Sequence, residues 1–361
     1  MNRTRNARLA LLASASCMIV AALGCSGKSA GGGGGAGGEG GEGGGGGSGP
    51  GMNVCKESDF TPWAVDVRDG FSLSTSKKGV TALLSTDAGL EFVRAGGERV
   101  LLAPKASEQT GFQGKHFSRS DGTVCAVFVD SSVSTSTMQF VCDDGKGPTD
   151  TMIEPGSDLY NDYHLAPIEG QYPGETNVYG MEHAAITLFV GSENGWSAQE
   201  LYESSISYAG NAVRRGNEVI ACVIGSGYVP MLANYNQEDW GVEQGTTAYD
   251  CRVATDGTSL FVAADNRFAT LTNFNGGAFT TTPVPGLTEN DYVLSLAAYK
   301  GKAWGLTSHH KLIDPTTGTP DPWTIPEGSR ADMIIDPASG ALTIGVLQGD
   351  GQYVVGTKCL P

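Results

Sequence analysis

After residue 55 the chain repeats one small unit: a turn closed by glycine, an apolar run rich in β-branched residues, and a second strand-like run. Lys78-Gly79 precedes Val80 to Leu84, Asp121-Gly122 precedes Val124 to Val129, and Arg215-Gly216 precedes Val219 to Ile224. Asp256-Gly257, Lys300-Gly301 and Ser339-Gly340 stand before Leu260 to Ala263, Ala303 to Leu306 and Leu342 to Leu347. A tight hairpin turn needs positive φ, which glycine adopts without steric cost. These glycines fall about forty residues apart, except that the gap from Gly122 to Gly216 is about twice that. The run Ile186 to Val190 fills the missing place without a turn glycine. Helical periodicity is almost absent over the same length.

About seven units of roughly forty residues, each with about four strands, have the spacing of a β-propeller, whose radial blades bury their faces on one another. The expectation is a single all-β domain over 55–361 of about seven blades, with six or eight as the alternatives. The resemblance is one of period, since no WD dipeptide, kelch or YWTD-like motif is present. Ser192-Glu193-Asn194-Gly195-Trp196-Ser197 resembles one imperfect copy of the Asp-box hairpin of sialidase-type propellers, with Asn194 where that motif has Asp. A structural hairpin is what that resemblance implies.

The first fifty residues carry no such unit. Arg3, Arg5 and Arg8 precede an apolar run from Leu9 to Leu23, a charged segment and hydrophobic segment that read as an export signal. The run is shorter and more serine-interrupted than a membrane span of about 20 apolar residues. Ala21-Ala22-Leu23-Gly24-Cys25-Ser26 resembles the lipobox of bacterial lipoproteins, with Ala22 where that family favours Leu. The resemblance implies cleavage after Gly24 and acylation of Cys25, and, in a Gram-negative cell, Ser26 implies sorting to the outer membrane. Residues 1–24 are then the signal peptide and 25–54 a lipidated linker. Its stretch from Gly31 to Gly51 is almost wholly glycine, and a flexible coil of that length reaches on the order of 25 Å.

Cysteine parity agrees with acylation. Of the eight cysteines, cleavage removes Cys17 and lipidation occupies Cys25, which leaves Cys55, Cys125, Cys142, Cys222, Cys251 and Cys359. An even set in an exported domain reads as three disulfides. Six cysteines allow fifteen pairings. If Pro62 to Val67 completes the last blade beside Tyr353 to Lys358, Cys55 comes close to Cys359. A hairpin turning at Ser132 to Ser134 sets Cys125 opposite Cys142, and Cys222 is then left with Cys251.

Composition excludes some partners. The formal charge of −16 becomes about −19 once Arg3, Arg5 and Arg8 are removed, so phosphate backbones are repelled and no nucleic-acid partner is expected. No basic amphipathic stretch is present, so membrane contact is expected through the acyl chains at Cys25 alone.

Chemistry-bearing motifs are few. His309-His310 is the one close histidine pair, and adjacent strand residues point to opposite faces. His116, His164 and His183 stand alone in sequence. Asp143-Asp144-Gly145, Asp265-Asn266 and Gly349-Asp350-Gly351 have oxygen-rich turns that suit a structural calcium, but none has the spacing of a calcium loop. They read as turn-forming aspartates, and neither a metal nor a cofactor is expected. Gly225-Ser226-Gly227 lacks the frame of a nucleophile elbow.

The segment from Tyr160 to Tyr179 reads as an insertion between the second and third units. It offers Tyr160, Tyr163, Tyr172 and Tyr179 for contact with a protein or sugar, with Trp240 as a further candidate. The reading favoured is a tethered, non-enzymatic platform that binds a protein or polysaccharide of the cell envelope. A glycan hydrolase or lyase with paired carboxylates in a central channel, and a structural part of an envelope assembly, are the alternatives.

Overall fold

The computed structural model describes residues 55–361 apart from 77–78, 106–111, 131–137, 144–147, 154–164, 171–174, 183–184, 193–194, 204–207, 226, 235–240, 244–246, 273 and 275. Among the described residues all regular structure is β-strand, in seven sheets that follow one another along the chain. Blade 1 runs Val67–Ser76, Gly79–Thr86, Gly89–Arg94, Arg99–Pro104 from its inner to its outer strand. The inner strands of blades 2 to 7 are Phe112–Ser118, Ala166–Glu169, Tyr208–Arg215, Cys251–Thr255, Val293–Tyr299 and Arg330–Asp336. Each inner strand neighbours the next, and that of blade 7 neighbours that of blade 1. The ring closes as a seven-bladed β-propeller.

The apolar runs that mark the repeat are second strands, and they are apolar on both faces because each blade lies between two others. In blade 2, Cys125, Val127 and Val129 face blade 3, whereas Val124, Ala126 and Phe128 face Leu83, Leu90 and Phe92 of blade 1. In blade 4, Ile220, Cys222 and Ile224 pack on blade 5, and Val219, Ala221 and Val223 pack on Tyr179 and Leu188 of blade 3. Period-two alternation is therefore present but divides two apolar sets.

Two sequence assignments shift by a strand. The run Ile186 to Val190 lies in the third strand of blade 3, Ala185–Ser192, and not in its second, which is Thr176–Glu182. Thr176 and Asn177 are fully buried polar residues in that second strand, so it carries no continuous apolar signal. Part of the supposed insertion is thus the first hairpin of blade 3, where Ala166 pairs with Tyr179 and Glu169 with Thr176. At the seam the N-terminal strand is Ser58–Ala64 rather than Pro62 to Val67; Val67 already opens blade 1. It pairs with Tyr353–Cys359, with Thr61 opposite Val355, as the outermost strand of blade 7.

Cys55 is bonded to Cys359, Cys125 to Cys142 and Cys222 to Cys251. The first bond closes a loop of sequence separation 304 at the seam. By loop-closure entropy it contributes on the order of 5 kcal/mol. The second joins directly paired residues of adjacent strands within blade 2, and the third joins blade 4 to the inner strand of blade 5. Outer edges are protected locally. Thr282–Pro283 and Thr319–Pro320 keep the edges of blades 5 and 6 to two residues, and Gly277–Phe279 adds a parallel strand to Gly241–Glu243 of blade 4.

Candidate functional site

The inner strands surround a polar cavity of about 800 Å³ on the ring axis. Their free edges leave backbone groups that no fifth strand can satisfy, and side chains of neighbouring blades meet that need. Asp332 of blade 7 accepts the Leu73 N–H of blade 1 at 2.9 Å and the Ser295 hydroxyl of blade 6 at 2.7 Å. Asn211 of blade 4 exchanges two 2.8 Å bonds with the Val253 backbone of blade 5, and Arg252 Nε donates to Leu294 O of blade 6 at 2.9 Å. Ser72 Oγ lies 2.6 Å from His116 Nδ1 across the first interface. Burial lowers His116 to about 4, against the pull of the Thr81 carbonyl, so the ring is neutral.

Lys115 differs from these staples. From blade 2 its Nζ crosses the cavity, past blade 3, and donates to Gly210 O of blade 4 at 2.5 Å. Enclosure and then the Arg252 guanidinium lower its pKa to about 8, with Asp250 and Asp332 acting in the other direction. Arg252 is itself paired with Asp250 at 2.6 Å. Burial, before any other cause, raises the Asp250 carboxyl. Gly210 has to be glycine because a Cβ there would run into the Cys251 carbonyl oxygen.

In an antiparallel blade, the turn between strands two and three lies at the same end as the start of strand one. These turns and starts form one mouth of the cavity, and backbone bonds there stitch blade 4 to blade 5, blade 5 to blade 6 and blade 7 to blade 1. Ala248 N–H donates to Tyr228 O at 2.8 Å, Val293 to Asp265 O at 3.0 Å and Val67 to Gly351 O at 2.9 Å. Both Asp265 carboxylate oxygens accept N–H groups of Tyr249 and Asp250. Asp66, Tyr228, Asp265 and His310 hold φ of 61°, 63°, 49° and 53° at this mouth. Side chains other than glycine rarely adopt that conformation, and it is retained where surrounding contacts over-determine it.

On this frame stand exposed aromatic groups. Tyr249 is 74% exposed, with its ring 4.9 Å from that of Tyr228, and Tyr292 is 41% exposed on the next blade. Beside them His309 Nε2 lies 2.6 Å from Asp291. The Thr288 N–H, followed by its hydroxyl, holds Asp291 below the ordinary carboxylate range. Arg330 pairs with Asp69 at 3.3 Å at the same mouth.

The sequence candidates fall differently. Tyr179 is fully buried between blades 3 and 4 and displays nothing. Tyr160, Tyr163, Tyr172, Trp240, Cys25, His164 and His183 lie outside the described residues. His309 and His310 have separate partners, Asp291 and the Pro326 carbonyl. Asp143 pairs with Arg94 at 2.6 Å, while Asp350 accepts the Gln352 N–H of its own turn. Among the described residues no cluster of His, Cys, Asp and Glu suits a metal ion. Trp196, from the segment similar to an Asp box, packs edge-on against Phe140 with centroids 5.2 Å apart, which is an inter-blade contact. Sequence reasoning passed over Tyr228, Tyr249, Tyr292 and Lys115. Their only local mark is a tyrosine beside a turn, as in Gly227-Tyr228 and Tyr249-Asp250.

No protein-family model matches the chain, and no curated protein matches it in sequence. Among solved structures it is similar to YCF48 from Cyanidioschyzon merolae, at 15% identity and a TM-score of 0.55 over 82% of this chain and 98% of that one. It is also similar to YCF48 bound to D1 peptide, at 14% identity and a TM-score of 0.56 over 86% and 98%. The Cps50 (Swd1) β-propeller domain of Myceliophteria thermophila gives 11% identity and a TM-score of 0.55 over 83% and 98%. Likeness at these identities is likeness of fold, and it places the chain in the β-propeller class.

Proposed function

We propose that the domain is a binding module, held at the outer membrane through an acylated Cys25 and the glycine-rich linker, which takes an envelope protein or polysaccharide at the Tyr228–Tyr249–Tyr292 mouth. The observation that carries this reading is the pairing of exposed tyrosines with backbone pinned by inter-blade hydrogen bonds. Tyrosine presents a large contact area with little rotamer entropy to lose, and a fixed backbone lowers the ordering cost further. A propeller fold carrying a peptide has a precedent in the YCF48 structure bound to D1 peptide.

The channel suits acid–base hydrolysis less well. Both oxygens of Asp332 are engaged by neighbouring blades, and Asp250 is paired with Arg252. The Tyr353 hydroxyl is driven upward by burial and then by Asp332, the opposite of what an activated tyrosine nucleophile needs.

The test places a photo-crosslinking residue at position 249 of the full chain in its own cells, with position 302 on the opposite end of blade 6 as control. An envelope protein or glycan captured from 249 and not from 302, and lost on Tyr292→Ala, supports the reading. Equal capture from both positions, or turnover of an envelope sugar by the purified chain, overturns it. Cys25→Ala is expected to abolish incorporation of labelled palmitate and release the protein from membranes; unchanged incorporation removes the anchor.

A further inference from the structure

The cavity contains a cation with no use in the binding reading. Among the described residues Lys115 has no carboxylate within ion-pair distance, and its hydrogen-bond acceptor is a neutral carbonyl, Gly210 O. Asp250 is taken by Arg252, and Asp332 by Leu73 and Ser295. The amine therefore stands in a polar space of about 800 Å³ whose wall also carries Ser74, Ser118, Asn211 and Thr255. A formal charge of −16 on the chain works against entry of anions. A neutral ligand rich in hydroxyls meets no such barrier.

We propose that the axial cavity captures a small neutral carbonyl compound, of the class of open-chain sugars, as a reversible imine on Lys115. The neutral amine forms a C–N bond to the carbonyl carbon. Its two protons leave with the carbonyl oxygen as one water molecule, and a C=N bond remains. Protonation by water of the cavity gives an iminium whose single N–H keeps the Gly210 carbonyl as acceptor. Asp250 and Asp332 favour that positive charge. No oxidant or reductant is consumed.

The lowered pKa agrees with this geometry. With Lys115 at about 8, about a tenth of the amine is free at pH 7, against roughly one part in three thousand for an ordinary lysine. Tyr292 of the mouth lines the same cavity, but the imine needs Lys115 and the mouth reading does not, so either assignment can fail alone.

The full, oxidised chain is incubated with glyceraldehyde and cyanoborohydride at pH 7, and the reduced adducts are located by peptide mass spectrometry. Lys115 is expected to react at least about tenfold faster than Lys56, Lys302 and Lys311, and this lead is expected to shrink at pH 10 as the exposed amines lose their protons. Lys115→Arg, checked for an unchanged thermal midpoint, is expected to remove the fast site and leave the slow ones. Modification of Lys115 no faster than the exposed lysines overturns the proposal, as does a fast site that survives Lys115→Arg. Glyoxylate, an anionic aldehyde, is expected to label Lys115 more slowly than glyceraldehyde relative to the exposed lysines; equal relative rates overturn the assignment to neutral compounds.

Discussion

Blades 1 and 2 meet twice, in two kinds of chemistry. Midway along the blades Leu83, Leu90 and Phe92 close on Ala126 and Phe128 with water excluded. At the axis the same blades are joined by Ser72 with His116 and by Ser74 with Ser118, each pair 2.6 Å apart. The apolar layer is non-directional and tolerates some shift of one blade on the next, whereas the axial bonds hold over a few tenths of an ångström. Packing thus supplies cohesion, and the polar inner wall sets how the seven wedges are aligned around the cavity.

The largest test of this contrast leaves both layers intact and opens the ring. Cys359→Ser, by freeing the seam, is expected to cost on the order of 5 kcal/mol in denaturant unfolding. A loss below about 1 kcal/mol would mean that strand pairing of Ser58–Ala64 holds the seam unaided. Next, Phe128→Ala empties the apolar layer between blades 1 and 2 and is expected to cost about 4 kcal/mol, read as a fall in the urea midpoint. A drop no larger than that of an exposed substitution would deny the layer its role.

The polar wall predicts a pH dependence of definite sign. Folded His116 titrates near 4 and the unfolded residue at 6.5, so between these values the unfolded chain binds a proton that the folded chain refuses. Its contribution is complete above pH 6.5 and is lost as pH falls from 6.5 to 4, by about 3 kcal/mol in all. His116→Gln is expected to flatten that part of the stability curve; an unchanged slope would place the acid sensitivity elsewhere. Asp332→Ala leaves the Leu73 N–H and the Ser295 hydroxyl without their acceptor and is expected to cost about 2 kcal/mol. At the mouth the expectation reverses. Tyr249→Ala should change stability by less than about 0.5 kcal/mol while weakening capture at the mouth about tenfold, measured by melting and by crosslinking yield from a photo-crosslinking residue at the exposed position 309 of the same mouth.

The same contrast accounts for what could be read in advance. Second strands such as Val124 to Val129 announce themselves because burial between two blades demands apolar residues at every position, a property of consecutive residues. Blade 3 broke the pattern where Thr176 and Asn177 are buried in place of apolar residues, and the run Ile186 to Val190 then stood in for the wrong strand. Tyr179 shows the limit in the other direction. A tyrosine in a segment punctuated by proline and glycine reads as displayed, yet strand pairing with Ala166 turns it fully into the core. At the mouth, Tyr228 and Tyr249 are far apart in sequence and meet only because blades 4 and 5 are adjacent in the ring.

By itself the sequence determined the all-β character, the approximate forty-residue period and the turns that need glycine, because each follows from side-chain alternation and local φ preferences. Tertiary structure alone decided the cavity and its mouth. Lys115 reaches Gly210 across a sequence separation of 95, and Asp332 reaches Leu73 across 259. Such contacts carry no local periodicity, and they exist only once loop-closure entropy has been overcome and the ring is shut.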